Sequence, residues 1–313
     1  MEQIYCALCG ADNTELIFVG RDEWYNLPGE FPTVRCCECG LIYLNPRPDR
    51  TEIGQFYPDD YAPYFRAIED EPSWWQRINR RLAMHKRLRL VQKHLPGTGS
   101  VLDVGCATGT FLAALREQGW RTQGIELSSF AAEYARKRYG LDVFTGELLD
   151  THFTDNQFDL IIFWDVLEHV HQPRENLLEA ARIAKPGGTL ILALPNPDSL
   201  EARLFGQYWA GWDTPRHLFI YAEKTMRRFL QETGWQIINT SCLTGRIWLF
   251  NLSLEHWLQN KLSNKRMLAI IMAIMRSLPV RLLSLPYFML VERLKKGSVM
   301  IIFARCSKDT HHE

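Results

Sequence analysis

The chain lacks an excess of charge of either sign: across 313 residues, 36 Lys and Arg balance 36 Asp and Glu. A general polyanion binder carries a basic surplus, so nucleic acid is not expected as a partner. One local basic run does stand at 77–94 (RINRRLAMHKRLRLVQKH). The first residues, MEQIYCALCG, have neither the basic start nor the apolar core of a secretory leader, and a cytoplasmic protein is expected. In that reducing compartment the eight cysteines should be thiols or metal ligands, not disulfides. The apolar run MLAIIMAIM before Arg276 is nine residues, short of the ~18 that cross a bilayer. With 46% apolar and 23% charged residues a sizeable core is expected, and the length suits one large domain with attachments or two modest ones.

Five cysteines crowd the first 39 residues, as Cys6-Ala-Leu-Cys9-Gly10 and Cys36-Cys37-Glu38-Cys39-Gly40. Each C-x-x-C turn aims two thiolates at one centre, and the following glycine relieves the tight turn. Cys6, Cys9, Cys36 and Cys39 therefore form a candidate zinc site, with Cys37 as a spare thiol. The competing reading is a set of buried free cysteines. No His or carboxylate stands in either knuckle, so such a site is closed and structural. TELIFVGR and FPTVRCCECGLIYL have strand-like composition and would fill the interval between the knuckles.

Prolines 46, 48, 58, 63 and 72 then mark a connector with one short helix near Glu52–Phe56. Its Tyr and Phe residues would line a ligand entrance or pack one lobe on another. A basic amphipathic helix follows from about Trp74 to His94, with Ile78, Leu82, Leu88 and Val91 on a covering face.

Val101–Val104 reads as a buried strand and Gly105-Cys106-Ala107-Thr108-Gly109 as a turn. A helix over 110–118, a second strand over 121–125 and Glu126 follow, then a helix capped by Ser128. This order is a mononucleotide-binding unit, in which glycines admit a ligand close to the backbone and the acid accepts ribose hydroxyls. The spacing is not the G-x-G-x-x-G of a dinucleotide site. Asp103 would repel a pyrophosphate but suits the ammonium and sulfonium end of S-adenosyl-L-methionine.

Here the chain resembles the class I S-adenosylmethionine-dependent methyltransferases, whose first motif is [DE]-x-G-x-G-x-G. Ala107 stands where the middle glycine would be. The resemblance implies an α/β, Rossmann-like seven-stranded sheet, with Asp103, Gly105, Cys106, Ala107 and Gly109 around the methionine moiety. It likewise implies Glu126 on the ribose, Glu147 and Leu148 (with Gly146) on the adenine side, Leu127 as a further cofactor-binding residue, and Asp165 in the motif after the fourth strand. LDVFTGELLD, FDLIIFWDVLEHV, the PGG turn before a fifth strand, and PRHLFIYAEKTMRRFLQETGW continue the match in order over about 97–245. A subgroup that includes sugar C-methyltransferases also has a four-cysteine lobe ending in a run like Cys39-Gly-Leu-Ile-Tyr-Leu-Asn-Pro-Arg-Pro48, but their long extra C-terminal domain is not expected here, so their substrate is not carried over.

The expected organisation is a zinc-ribbon-like lobe (1–45), connector and covering helix (46–96), cofactor-binding core (97–245), helical insert (246–295) and last strand with tail (296–313). The insert, apolar with Arg at its flanks, reads as a helix pair on a membrane surface or a lid; a buried hairpin or dimer surface is the bland alternative. A base is needed only for a poor nucleophile. His169 and His217 are the candidates, each also readable as a structural histidine, with Asp165, Glu168 and His171 nearby. Cys106 and Cys242 have no basic neighbour in sequence for covalent catalysis. The leading expectation is methyl transfer to O or C of a small lipid- or saccharide-linked molecule. The alternatives are an RNA or protein methyltransferase gripping substrate with the zinc lobe, and a non-catalytic cofactor-binding scaffold.

Overall fold

A computed structural model describes residues 1–58, 71, 73–243 and 247–308. Expectations for Pro63, Pro72, the connector aromatics at 61–65 and the core–insert junction at 244–246 lie outside the described residues. Strands β1 (Thr14–Gly20), β2 (Phe31–Cys36) and β3 (Ile42–Leu44) precede a 3-10 turn (Ile53–Phe56) and helix α1 (Trp74–His94). Then follow β4 (Ser100–Val104), α2 (Thr110–Glu117), β5 (Arg121–Glu126), α3 (Ser129–Tyr139), β6 (Asp142–Thr145), β7 (Phe158–Trp164), α4 (Pro173–Ile183) and β8 (Ala184–Pro195). The last elements are α5 (Leu200–Phe205), β9 (Phe219–Ile220), α6 (Glu223–Glu232), β10 (Trp235–Leu243), α7 (Ile247–Lys261), α8 (Lys265–Met275), α9 (Leu278–Arg293) and β11 (Val299–Cys306).

Seven strands form one sheet in the order β10-β11-β8-β7-β4-β5-β6. β8, β7, β4, β5 and β6 run parallel, and β11 enters antiparallel between β10 and β8. Helices cover both faces, which is why Leu160–Phe163 and Leu190–Leu194 are unbroken apolar runs with no exposed side chain. One face packs on α1, α2 and α3 through Val91, Leu112 and Ala135, the other on α4 and α6 through Leu177 and Phe229. Strand order reverses between β4 and β7, so a crevice opens at their carboxyl ends.

Two local features differ from the sequence reading. The PGG run is a bulge inside β8, since Phe158 pairs with Ala184 and Leu160 already with Thr189. In α1 the covering face is only its last turns: Leu88 and Val91 are buried, whereas Ile78 and Leu82 are exposed.

The amino-terminal lobe is bound into the body. Its sheet has the order β1-β2-β3-β9, and β9 comes from the PRHLFI segment nearly two hundred residues later, pairing Ile42 with Ile220 and Tyr43 with Phe219. Leu8, Leu41 and Leu44 join the same apolar cluster as Phe163 and Phe229. Arg174 of α4 donates to the Leu8 carbonyl at 2.5 Å, and Arg47 to the His171 carbonyl at 3.2 Å. Among its described residues the insert contains three helices rather than a pair.

Candidate active site and four-cysteine centre

The glycine loop turns at the carboxyl end of β4. Gly105 and Gly109 have φ of +73° and +75°, and a Cβ on them would lie 2.4 Å from Val166 Cγ2 and 2.6 Å from Leu141 Cδ1. Glycine is required there by both conformation and space. Ala107 also lies in the left-handed region, at φ +49°. Its N–H donates to Glu126 Oε2 at 2.8 Å, and the Ser128 N–H donates to Glu126 Oε1 at 2.8 Å. Glu126 is thereby fixed at the end of β5 with lone pairs still to offer.

Burial raises the carboxyl of Glu126 despite these amides. It pushes Asp103 up to about 7, with Arg87 opposing and Glu126 adding to the rise. Cys106 is buried with its Sγ against Gly124, so the loop contributes backbone rather than thiol to the crevice. Leu127 is exposed at the rim and Leu148 buried, while Glu147 pairs with Arg50 at 3.1 Å. Asp165, at φ +56°, follows β7.

These residues line a single cavity of about 660 Å³, within the ordinary range for ligand sites. Asp103, Gly105, Cys106, Ala107, Glu126, Leu127, Glu147, Leu148, Asp165, His169 and His217 all reach it, whereas Gly109 stands behind the loop, under α3. The rest of the wall includes Trp24 of the amino-terminal lobe, Tyr57 of the connector, Met84 and Arg87 of α1, and Trp248 and Leu249 of α7. The Arg87 guanidinium sits 4.4 Å over the Trp164 ring.

His169 and His217 meet edge to face, ring centroids 4.6 Å apart. Nδ1 of His169 lies 3.0 Å from the Arg216 carbonyl and 3.0 Å from the Tyr57 hydroxyl. Nδ1 of His217 lies 2.9 Å from the Gly211 carbonyl. A carbonyl only accepts, so each Nδ1 carries the proton and each Nε2 keeps its lone pair. Burial, reinforced by the partner ring, lowers His169 to about 3. Burial also lowers His217, against the pull of Asp213. Nε2 of His217 has Asp213 Oδ2 at 3.8 Å and Glu168 Oε1 at 3.9 Å, so a proton taken there meets two carboxylates.

Among the described residues two clusters bring metal-ligating side chains together. One is Glu168, His169 and His217. The other is Cys6, Cys9, Cys36 and Cys39, whose sulfurs lie within 4.8 Å of one another, with Cys6–Cys39 at 3.4 Å and Cys9–Cys36 at 3.5 Å. A tetrahedral Zn–S4 centre with ~2.3 Å bonds has edges of about 3.8 Å, so the donor set fits zinc. Backbone N–H groups of Leu8 and Cys9 point at Cys6, and those of Glu38 and Cys39 at Cys36. Burial pushes the Cys6 thiol up to about 11. Cys37, the spare thiol, is exposed.

A family model described as a methyltransferase domain matches residues 75–240. The chain belongs to that methyltransferase family. It is a class I S-adenosylmethionine-dependent enzyme, and its open, mostly parallel seven-stranded sheet is the one the sequence resemblance implied. A ubiquinone biosynthesis O-methyltransferase of Azoarcus sp. is 28% identical over 189 residues, 55% of this chain and 81% of the relative. A demethylmenaquinone methyltransferase of Renibacterium salmoninarum is 32% identical over 152 residues, 48% of this chain and 60% of the relative. The solved structure of the [4+2]-cyclase SpnF is similar in fold, with a TM-score of 0.52 at 21% identity, covering 83% of this chain and 97% of that one.

Sequence reasoning offered the connector aromatics as an entrance lining and the insert as a lid, but singled out neither Tyr57, which meets His169, nor Trp248, and it missed Arg216. Arg216, beside His217, is fully buried between Asp213 and Asp22. The Asp213–Arg216 spacing carried a faint signal, but Asp22 is invisible at that sequence distance.

Proposed function

We propose that the enzyme methylates an oxygen or carbon of a small amphiphilic acceptor and that His217 is its base. The cofactor would lie with its methionine moiety on the backbone of Gly105–Gly109, its ammonium toward Asp103 and Asp165, its ribose on Glu126 and its adenine between Leu127, Glu147 and Leu148. When bound, the cofactor supplies an electrophilic methyl group on a neutral leaving sulfur. The chain's own residues do the rest. Trp248, Leu249, Met84 and Tyr57 exclude water from the acceptor side. Nε2 of His217 receives the proton that the acceptor hydroxyl or carbon acid loses as its bond to the methyl forms, and Asp213 and Glu168 offset the new charge. His169, held by Arg216 and Tyr57, orients the acceptor rather than deprotonating it, since a ring lowered to about 3 is a weak base.

The observation that carries this reading is the pair of imidazoles with both Nδ1 groups donating into backbone carbonyls, across one cavity from Glu126. The apolar wall and the quinone-related names of the relatives support a lipid-linked acceptor; the lobe resemblance keeps a saccharide-linked one in view. On the same reading a structural zinc sits on Cys6, Cys9, Cys36 and Cys39, and the enzyme is cytoplasmic, meeting a membrane through the insert. The test is calorimetry with S-adenosylhomocysteine, which Glu126→Ala should weaken, followed by a mass-shift screen of quinol and glycolipid acceptors with labelled cofactor. A protein that binds no S-adenosylhomocysteine would sink the reading.

A further inference from the structure

The insert is amphipathic in the wrong sense for a protein in water. In α9 the stripe facing the body is Arg281, Ser284, Phe288 and Val291, of which only the last two are fully buried. The outward face carries Leu282, Leu283, Leu285, Met289 and Leu290, with Leu283 81% and Met289 70% exposed. α8 does the same, burying Met272 and exposing Ile270 and Ile274. Eleven large apolar side chains of the described residues stand exposed between Met267 and Leu294. Scattered apolar residues are normal on a surface, but a contiguous patch of this kind marks a covered face.

Charge identifies what covers it. Between 265 and 296 the chain has seven basic residues (Lys265, Arg266, Arg276, Arg281, Arg293, Lys295 and Lys296) and one acid, Glu292. Glu292 is already paired with Lys86 at 2.7 Å, and Arg276 with Glu255 at 2.5 Å. A two-fold contact with a second copy would set two such basic faces together. An anionic lipid surface is complementary to both the apolar centre and the basic margin.

Geometry favours lying on the bilayer over crossing it. α8 and α9, at ~1.5 Å per residue, are about 16 and 24 Å long, short of the ~30 Å hydrocarbon core. They meet at 64°. The pair is also continuous with the cavity. α7, which lines it through Trp248 and Leu249, packs on α8, and α1, which lines it through Met84 and Arg87, is tied to α9 by Lys86–Glu292.

We propose that α8 and α9 form an interfacial anchor for anionic membranes, which seats the mouth of the cavity between α1 and α7 on the lipid so that an amphiphilic acceptor enters from the bilayer. The acceptor part rests on the function proposed above; the anchor stands by itself.

The experiment is flotation of the full chain with vesicles of phosphatidylcholine alone or with phosphatidylglycerol, in physiological salt. The protein is expected to float with the anionic vesicles, and Leu283→Glu/Met289→Glu to lower its partitioning at least tenfold. Lys265→Glu/Arg266→Glu should lower it severalfold and weaken its salt dependence. None of these exposed positions lines the cavity, so S-adenosylhomocysteine binding and the melting temperature should stay as in the parent. The anchor is overturned if the parent ignores anionic vesicles while still binding S-adenosylhomocysteine, or if the Leu283/Met289 variant floats equally well. It is overturned too if light scattering finds a dimer that this variant dissolves. Flotation without S-adenosylhomocysteine binding would instead sink the methyl-transfer reading and leave the anchor in place.

Discussion

Arg216 donates to Asp22 across 2.8 Å, and neither side chain is exposed at all. Asp22 follows β1 in the amino-terminal lobe; Arg216 immediately precedes His217. The same guanidinium holds Asp213 at 2.6 Å and the Phe56 carbonyl at 3.2 Å, and it lies 5.2 Å over the Tyr25 ring. Its own carbonyl receives Nδ1 of His169. Lobe, connector and the loop that carries His217 therefore meet at one buried cation. Burial by itself would raise Asp213, but the guanidinium outweighs it and holds that carboxyl below its usual value.

Replacing Arg216 should be severe. Arg216→Met leaves Asp22 and Asp213 buried without their cation, which is expected to cost about 3–5 kcal/mol in urea unfolding. Asp22→Asn leaves Arg216 its Asp213 partner and should cost about 1–3 kcal/mol. Equal costs would mean that the pair does not act as one unit.

Losing the metal should reach the active site by the same route. Metal analysis is expected to return one zinc per chain, and Cys36→Ser to abolish it. Because Leu41 and Leu44 share the core of the body, the variant should melt lower by several degrees. With Asp22 displaced, turnover should fall more than S-adenosylhomocysteine affinity, since Glu126 and the glycine loop sit on the far strands. A metal-free parent protein would remove the four-cysteine site.

How much of this was legible depended on sequence distance. The strand–glycine–helix–acid unit at 100–139 was readable because its ligands, turns and caps are local; Ser128 does cap α3, accepting from Ala131. The knuckles were readable because two residues separate each cysteine pair. The β3–β9 pairing was not, because Phe219-Ile220 is too short to read as a strand alone and is ordered by a partner far away in the chain. Ile78 and Leu82 misled because a helical period says which residues share a face, not whether anything lies against it.

Ala107 tests the glycine loop. An alanine at φ +49° is strained by about 1 kcal/mol, so Ala107→Gly should be neutral to slightly stabilising and keep S-adenosylhomocysteine affinity. Gly105→Ala forces a Cβ to 2.4 Å from Val166 and should cut affinity and stability together. Tolerance of Gly105→Ala would show that the loop is looser than its geometry.

Asp103 predicts a pH effect on the cofactor. Its carboxyl, raised to about 7 by burial, keeps its proton in the fold at pH values where the unfolded chain has released it. Its contribution to stability is therefore fully present below the ordinary carboxylate range and is lost as pH rises through about 7. The ammonium group of a ligand placed beside it favours the ionised form. S-adenosylhomocysteine should bind more tightly as pH rises toward 7, releasing protons measurable by calorimetry in buffers of different ionisation enthalpy. Asp103→Asn should flatten that dependence, and an affinity that falls over the same range would place Asp103 away from the ammonium.

The two histidines should separate kinetically once an acceptor is found. His217→Ala removes the proton's destination and should lower kcat by about 10²–10⁴ for a hydroxyl acceptor while leaving S-adenosylhomocysteine affinity unchanged. Because burial lowers the His217 pKa, the parent enzyme should already be on its plateau at neutral pH, with an acid limb below the ordinary imidazole value. That limb should vanish in His217→Gln. His169→Ala should act mainly on KM and leave the limb in place, since its Nδ1 is spent on the Arg216 carbonyl and its ring stays neutral throughout the range. If the limb instead follows His169, the roles are reversed; if it follows neither, the acceptor supplies its own nucleophile and the pair only shapes the cavity.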